Sequence, residues 1–553
     1  MTRNNWWLPG LSASLLIAAL TLLPFAAMIA SAGQLDWSSL AGDTYLRRVV
    51  RFSFLQASLS TLLSLTLAIP LALALAHLPR FPGRGLLLHA MSLTLVLPTI
   101  IAIYGLVAVF GQKGWLASWL APLNVELPSI YGLGGILLAH VFLNMPLAAR
   151  VMLQSIEAIP SNQWRLASQL GMPERTVLRH LEWPAIAGML IPFALLIFTL
   201  CFTSFAIVMT LGGGPRATTI EVAIYQAVRF DFDLARAVAL ALLQLGFCLV
   251  LMLLGTAVRS RDVTSGAVGD AGSLGLSSTL SGDTHHWRQL HPALRRSRTG
   301  RSLKALCVML ASLFILLPLV ALVVSAINPR TLAVITDDST LRAAGNTLIA
   351  ALAASTIAVG LALALLTSSR YLSVRRRQVR AGHRLQLVGN VILVLPPLVL
   401  GTGLFLLLRP LADVFSLALI LVILVNALMA LPFVLRILEA PFINAAKHQD
   451  RLIQSLGIQG WSRWRWLDWP VIRRPLGHAC GVAATLAAGD LSAIALFGST
   501  QWQTLPLLLY QRMGSYRLDE AAVTGGMLLL LCILLYLGLQ RIVGGRAMPA
   551  VAK

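Results

Sequence analysis

Long runs of apolar residues alternate with short polar segments along the whole chain of 553 residues. A membrane-spanning helix needs about 20 mostly apolar residues, and runs of that length recur throughout. They predict twelve spans, six on either side of one long polar stretch. The predicted spans cover residues 11–31, 52–76, 86–110, 130–154, 185–211, 235–257, 303–326, 344–367, 385–408, 411–435, 476–497 and 521–540. The pattern therefore predicts an all-α integral membrane protein.

The long polar stretch, residues 259–302, separates the sixth predicted span from the seventh. It is rich in Ser, Gly and Thr and becomes basic near its end. Such a composition is typical of a flexible linker. We therefore expect a first half at 1–258 with its core at about 52–258, then the linker, then a second half at 303–553 with its core at about 342–543.

The two halves repeat one segment in register, 286 residues apart. Nine of the 22 positions from 165 to 186 are identical to the positions from 451 to 472, and the identities include Gly, Trp, Pro and Arg. We call residues 160–184 and 446–470 the first and second repeated loops. Because an even number of spans keeps both repeats in one orientation, we expect a pseudo-twofold axis along the membrane normal.

Each repeated loop has the pattern of a short helix with an apolar face. Pro160 and Ser161 signal a helix start. Leu166, Ala167 and Leu170 follow at i, i+1 and i+4, and the adjacent Gly171 is suited to ending the helix. The second copy has Arg451, Leu452, Ile453, Leu456 and Gly457 at the matching positions. Such a helix needs a groove on a partner, unless it is an ordinary amphipathic helix at the membrane surface.

Composition agrees with the membrane class, with 57% hydrophobic and only 12% charged residues. The net charge of +22 would suit a nucleic-acid partner, but Lys and Arg also accumulate in the cytoplasmic loops of membrane proteins. A topology with both termini in the cytoplasm places most of the Lys and Arg on the inner side. We therefore expect a multi-pass inner-membrane protein of that orientation that does not bind nucleic acid. The run 11–30 exceeds the about 7–15 residues of a signal-peptide core, so it is expected to be a retained span.

The spacing of the repeated loops resembles that of binding-protein-dependent ABC permeases, E-A-A-x3-G-x9-I-x-L-P. The first loop matches it with Arg165, Leu166, Ala167, Gly171 and Pro184. The second loop matches it with Arg451, Leu452, Ile453, Gly457 and Pro470. The leading Glu of the family is Arg in both copies, so a salt bridge made by that Glu does not carry over.

This resemblance implies a fold of two tandem six-helix type I ABC permease domains with about 12 membrane helices. It further implies that each loop docks one of two copies of a cytoplasmic ATPase, which binds ATP and Mg²⁺, and that a periplasmic protein delivers the substrate. The chain itself lacks the Gly-Lys-Ser/Thr of a P-loop, since no lysine follows a glycine. We expect a transport subunit rather than an enzyme, with no cofactor or metal of its own.

Over nearly its full length the chain resembles the thiamine and thiamine-phosphate permeases of Gram-negative bacteria. The segments that carry the resemblance are 49–54, 135–142, 211–221 and 455–463. The resemblance implies import of thiamine by ATP-driven alternating access. A permease for ferric iron or another small solute is the alternative within the class, and a 12-span secondary transporter is the alternative outside it.

Two polar positions fall inside predicted spans. Asp490 lies in the eleventh span, and its counterpart in the first half at a shift of 286 is Ser204. A carboxylate in a span costs about 2.5–3.5 kcal/mol on insertion scales, so it normally faces a cavity or a partner. We consider two roles for Asp490: lining the substrate pathway, or capping a broken helix.

A glycine-rich segment follows the fifth span. Gly212, Gly213 and Gly214 have the backbone freedom for a periplasmic gate or docking loop, and a plain turn is the alternative. Glu221 follows in the same predicted loop, where it is expected to be solvated or to dock the binding protein.

Overall fold

The computed structural model describes residues 7–32, 42–125, 127–262, 298–411, 413–414, 416–455, 460–498 and 502–545, and these ranges are helical with short connections. In the first half the main helices are α1 (Leu8–Ala32), α2 (Thr44–His77), α3 (Arg84–Val96), α4 (Thr99–Phe110), α5 (Leu133–Glu157), α6 (Ser161–Gln169), α7 (Trp183–Phe202), α8 (Phe205–Leu211), α9 (Ile220–Arg229) and α10 (Leu234–Asp262). In the second half they are α11 (Arg298–Ser325), α12 (Asp338–Arg370), α13 (Val379–Asn390), α14 (Pro397–Leu408), α15 (Ala418–Ser455), α16 (Trp469–Gly489), α17 (Ser492–Phe497), α18 (Leu505–Gly514) and α19 (Leu518–Gly544).

The predicted all-α membrane fold is confirmed. Eleven helices within the described ranges are long and apolar enough to cross a membrane, and α14 is a shorter apolar helix at the place of the ninth predicted span. The central part of the linker, 263–297, lies outside the described residues. The flanking helices extend further into the expected linker than its bounds of 259–302, since α10 ends at Asp262 and α11 begins at Arg298.

Four of the predicted spans are each divided into two helices. The breaks separate α3 from α4, α7 from α8, α13 from α14, and α16 from α17. Leu97 with Pro98, and Leu395 with Pro396, mark the breaks in the third and ninth spans. Proline lacks the N–H that would continue the helix and disfavours helical backbone at the residue before it. Apolar periodicity continues across all four breaks, so it does not reveal them.

Two short helices, α9 and α18, fold back into the bundle instead of lying in solvated loops, and we call them the half-helices. Each is held at its first residue by a hydroxyl group from a long helix. The Ile220 N–H donates to Ser53 Oγ at 3.0 Å. The Leu505 N–H donates to Thr347 Oγ1 at 2.9 Å. The matching bonds show that the duplication extends well beyond the repeated loops.

The two halves exchange their first helices. Helix α1 packs on α12 and α14 of the second half, and α11 packs on α2 and α4 of the first. Both exchanges rely on a glycine that meets a proline backbone: Gly105 lies against Pro318, and Gly403 lies against Pro24. A single covalent chain thus folds as an intertwined pair of repeats.

The Gly403 contact leaves no room for a methyl group. A Cβ at this position would lie 2.7 Å from Pro24 Cβ and 3.0 Å from its backbone carbonyl. We expect Gly403→Ala to destabilise the fold by about 1–3 kcal/mol, because α1 and α14 must separate. The melting temperature of the purified protein in detergent measures the effect.

A suitable control is Gly360→Ala in α12, where a Cβ would have no heavy atom of the described residues within 4 Å. Both substitutions raise the helix propensity equally, so the difference between the two melting temperatures measures the effect of the close contact on packing. If the two variants have the same melting temperature, the close contact between α1 and α14 is not present in the protein.

Candidate functional site

The first repeated loop forms helix α6, which has a buried side and an exposed side. Trp164 and Ala167 are almost fully buried, at 2% and 1% exposure. Leu166 and Leu170 are 55% and 63% exposed. The prediction of one apolar face that includes Ala167 is therefore wrong. Residues three apart lie on one side of a helix, so Ala167 joins Trp164 against the bundle, while Leu166 and Leu170 form a separate apolar edge.

The ends of α6 lie where the sequence predicts them. Pro160 precedes the helix, and Gly171 follows its last turn with φ at +62°, a conformation that favours glycine. The Met172 N–H donates to the Ala167 carbonyl at 3.1 Å, which closes the helix in the manner of a Schellman motif. Arg165 is exposed on the outer side. The glycine therefore fixes where the exposed leucine edge ends.

The second repeated loop is described only in part. Helix α15 runs on without a break to Ser455, so Arg451, Leu452 and Ile453 lie in its last turns. Leu456 and Gly457 lie outside the described residues. The first half differs, because α5 ends at Glu157 before the separate helix α6 begins.

Both repeated loops enter the next span through one wide, π-helical turn. The turns are Leu178–Glu182 and Trp464–Asp468, and each closes with a bond across five residues. Pro184 and Pro470 follow at the second position of α7 and α16. Because proline cannot donate the next helical bond, the widened turn lies where the regular ladder is interrupted.

The last residue of each wide turn is a buried acid that pairs with a base at the end of a long helix. Glu182 lies 2.8 Å from His77 Nε2 at the end of α2. Asp468 accepts two bonds from Arg370 at the end of α12, at 2.8 and 3.1 Å. Arg370 also lies over the Phe442 ring, with its Cζ atom 4.4 Å from the centroid. We call these two contacts the loop–helix ion pairs.

Sequence reasoning missed the loop–helix ion pairs, although half of the signal was present. Glu182 and Asp468 align at the shift of 286 as two acids directly before Trp-Pro. Their partners, His77 and Arg370, are about a hundred residues away in sequence and belong to different residue types, so only the fold identifies them.

The fifth and eleventh spans break at the two polar positions noted in the sequence. Asp490 ends α16, and its carboxylate accepts from the Ser492 N–H at 3.2 Å and the Ala493 N–H at 3.0 Å. It thereby caps α17 in the way that aspartate caps many helices. Ser204 occupies the N-cap position of α8 without a side-chain cap bond.

The glycine-rich segment after α8 makes a sharp reversal. Gly213 and Gly214 have φ values of +69° and +130°, which favour glycine, whereas Gly212 keeps a helical backbone. The Leu211 carbonyl accepts from the Gly132 N–H at 2.7 Å, which ties the reversal to the start of α5.

Glu221 is not a solvated loop residue, so that expectation is wrong. It lies in the first turn of α9 and is fully buried, because the half-helix folds into the bundle. Its Oε1 atom accepts from Gln244 Nε2 at 2.7 Å. Surface docking of a binding protein through this side chain does not fit the structure. The other acids of the connection, Asp231 and Asp233, are more exposed.

Comparison with protein families identifies the first half. Residues 68–261 match the family of binding-protein-dependent transport system inner membrane components. This segment begins within α2 and ends within α10, and it contains the whole first repeated loop.

Comparison with individual proteins covers almost the whole chain. It is 44% identical to the thiamine transport system permease protein ThiP of Escherichia coli, over 98% of this chain and 97% of that protein. It is 42% identical to ThiP of Haemophilus influenzae, over 92% of this chain and 91% of that protein. A sulfate transport system permease protein, CysW of Synechococcus elongatus, is 28% identical over 28% of this chain.

Proposed function

Because the chain belongs to the thiamine transport system permease family, within the binding-protein-dependent transport system inner membrane components, we propose that it imports thiamine and thiamine phosphates. The observation that carries this proposal is the 44% identity to the Escherichia coli permease over 98% of the chain. The chain is a transport subunit of the inner membrane, not an enzyme and not a secondary transporter. In the proposed reaction a periplasmic binding protein delivers the substrate, and ATP hydrolysis drives alternating access.

The proposed energy source is a pair of cytoplasmic ATPase subunits that bind ATP and Mg²⁺, one at each repeated loop. Leu166 and Leu170 support this role, because the folded chain leaves this apolar edge in contact with solvent. The nine identical positions shared by the two loops support two docking sites. In the second loop, Arg451, Leu452, Ile453, Leu456 and Gly457 are assigned the same role.

The proposed orientation has both termini and both repeated loops in the cytoplasm, which places the Gly212–Gly214 reversal on the periplasmic side. The distribution of Lys and Arg along the sequence supports it. We assign 1–258 and 303–553 to the two permease halves and 259–302 to a cytoplasmic linker. The reversal is a candidate gate, because its backbone can change shape at low cost.

Uptake by proteoliposomes tests the substrate. The chain is reconstituted with its ATPase, and the binding protein and radiolabelled thiamine are added on the periplasmic side. We expect thiamine to accumulate only when ATP is enclosed with the ATPase and the binding protein is present. The same vesicles are expected to take up no ferric iron. Accumulation of iron without thiamine would assign the chain to the alternative substrate class.

A further inference from the structure

Two buried acceptor atoms beside the half-helix α9 have no donor among the described residues. Glu221 and Gln244 are both fully buried, and one hydrogen bond joins Glu221 Oε1 to Gln244 Nε2. Glu221 Oε2 and Gln244 Oε1 remain without a hydrogen-bond partner in the described part of the chain. A buried acceptor without a donor costs about 1–3 kcal/mol, and more when it is charged. The pair therefore leaves two oxygen atoms for a positively charged or donor-bearing ligand.

A second carboxylate reaches this place from the other half. Helix α9 packs against α17 and α14 of the second half, and the Arg229 side chain at its far end donates to the Gly498 carbonyl at 2.7 Å. Asp490 caps the start of α17. Glu221 lies in the first turn of α9 and Asp490 caps the first turn of α17, so the packing of α9 on α17 brings the two carboxyl groups toward one place. Two carboxylates in one place repel each other. A cation between them would relieve that repulsion.

The arrangement is present in only one half. Since Ile220 and Leu505 are the matching first residues of the half-helices, Glu221 corresponds to Pro506. Gln244 corresponds to Leu528, because Cys248 and Cys532 align α10 with α19. Leu528 is fully buried in the same way as Gln244. The second half folds with Pro506 and Leu528 at these places, so the repeated architecture does not require the polar pair.

An aromatic pair lies one helical turn from Glu221. Tyr225 lies one turn after Glu221 on α9, and its ring meets the Phe205 ring edge to face with centroids 5.3 Å apart. Phe205 begins α8 directly after the break at Ser204. Rings of this kind attract organic cations through their π faces.

We propose that Glu221, Gln244 and Asp490 form a binding site for an organic cation, the thiazolium ring of the substrate, at the interface of the two halves. The inference rests on the proposed function, because thiamine carries a fixed positive charge on its thiazolium ring. A fixed charge cannot be removed by deprotonation, so its passage through a low-dielectric region requires compensating carboxylates. The Asp490 carboxylate serves both as a helix cap and as part of this site.

Initial rates of ATP-driven thiamine uptake in the reconstituted complex test the site. We expect Glu221→Gln to lower the rate at least about tenfold, because glutamine cannot provide a carboxylate for the bound cation. Asp490→Asn is expected to lower the rate as well. The matched control is Asp231→Asn, which removes an exposed carboxylate from the same connection and should retain the wild-type rate. Immunoblots normalise each rate to the protein reconstituted.

An exchange variant separates charge from structure. Glu221→Gln combined with Gln244→Glu keeps the hydrogen-bonded carboxylate–amide pair and the net charge but reverses their positions. We expect it to recover most of the rate lost in Glu221→Gln. If the exchange variant stays as slow as Glu221→Gln, the pair is structural and the site is refuted.

The remaining outcomes separate this site from the proposed function. Wild-type vesicles that take up thiamine at the same rate as Glu221→Gln refute the site and leave the proposed function standing. Wild-type vesicles that take up no thiamine refute the proposed function and, with it, the cation site.

Discussion

Replacing Leu170 and Leu456 by aspartate is expected to remove the ATPase from the purified complex. Leu170 is 63% exposed at the end of α6, and Leu456 is its counterpart in the second loop. If each leucine fills a groove on one ATPase subunit, a buried unpaired carboxylate costs about 2 kcal/mol or more at each loop, a factor of about thirty in affinity. Because both loops bind within one complex, the two reductions in affinity multiply. Quantitative immunoblots after purification through a tag on the permease measure the bound ATPase.

Leu411→Asp is the control for this experiment. Leu411 is 77% exposed and lies between α14 and α15, at the opposite end of the bundle from the repeated loops. Leu411→Asp makes the same substitution outside the proposed docking surface, so the ATPase should remain bound. Wild-type recovery of the ATPase with the double variant would falsify docking through these loops.

The positions of the long helices could be predicted from the sequence because burial in lipid requires long apolar runs. Helix α5 lies close to its predicted span, and α1 closely matches its own. Helices α2 and α12 begin several residues earlier than predicted, because their first turns are polar. The residues that cap these helices, Asp43 and Asp337, lie before the apolar runs, so a hydropathy pattern does not predict where the helices begin.

The half-helices could not be predicted. Each has only 10 residues, which is too short for a span, and α9 contains Glu221, Gln226 and Arg229. Such a sequence is typical of a loop until Ser53 and Thr347 are seen to hold the helix starts within the bundle. The proposed cation site depends on this placement, so it could not be predicted from the sequence either.

The repeated loops were predicted better than the rest of the candidate site. Their helix start and end follow from Pro160 and Gly171, which act on the local backbone. The separation of Ala167 from Leu166 depends instead on what lies beneath the helix, and that is a tertiary contact. Local backbone preferences therefore determine where helix α6 begins and ends. Tertiary packing determines which of its side chains remain exposed to a partner.

The loop–helix ion pairs give the second large effect, because Arg370 neutralises a buried acid. Removing one partner of a buried ion pair costs about 3–5 kcal/mol, since the other charge stays buried. We expect Arg370→Met to destabilise the protein by about that amount, as measured by SDS titration of the purified chain in mixed micelles. Arg463 Nε, 3.5 Å from Asp468, will compensate for part of the loss.

Removing the acid as well should reverse part of the damage. The double variant Arg370→Met, Asp468→Asn removes both charges of the pair, and such replacements of buried pairs are often nearly neutral. The rescue is expected to be partial, because Arg463 then loses its contact with the Asp468 carboxylate. The same replacement at His77 is expected to cost less than at Arg370, because His77 contacts Glu182 through one nitrogen, whereas Arg370 donates from two nitrogens to Asp468. No rescue by Asp468→Asn would mean that charge neutralisation is not what the Arg370 contact provides. If instead the rescued double variant is stable but transports slowly, the ion pair links movement of the second repeated loop to α12, because stability and uptake then depend on different properties of one contact.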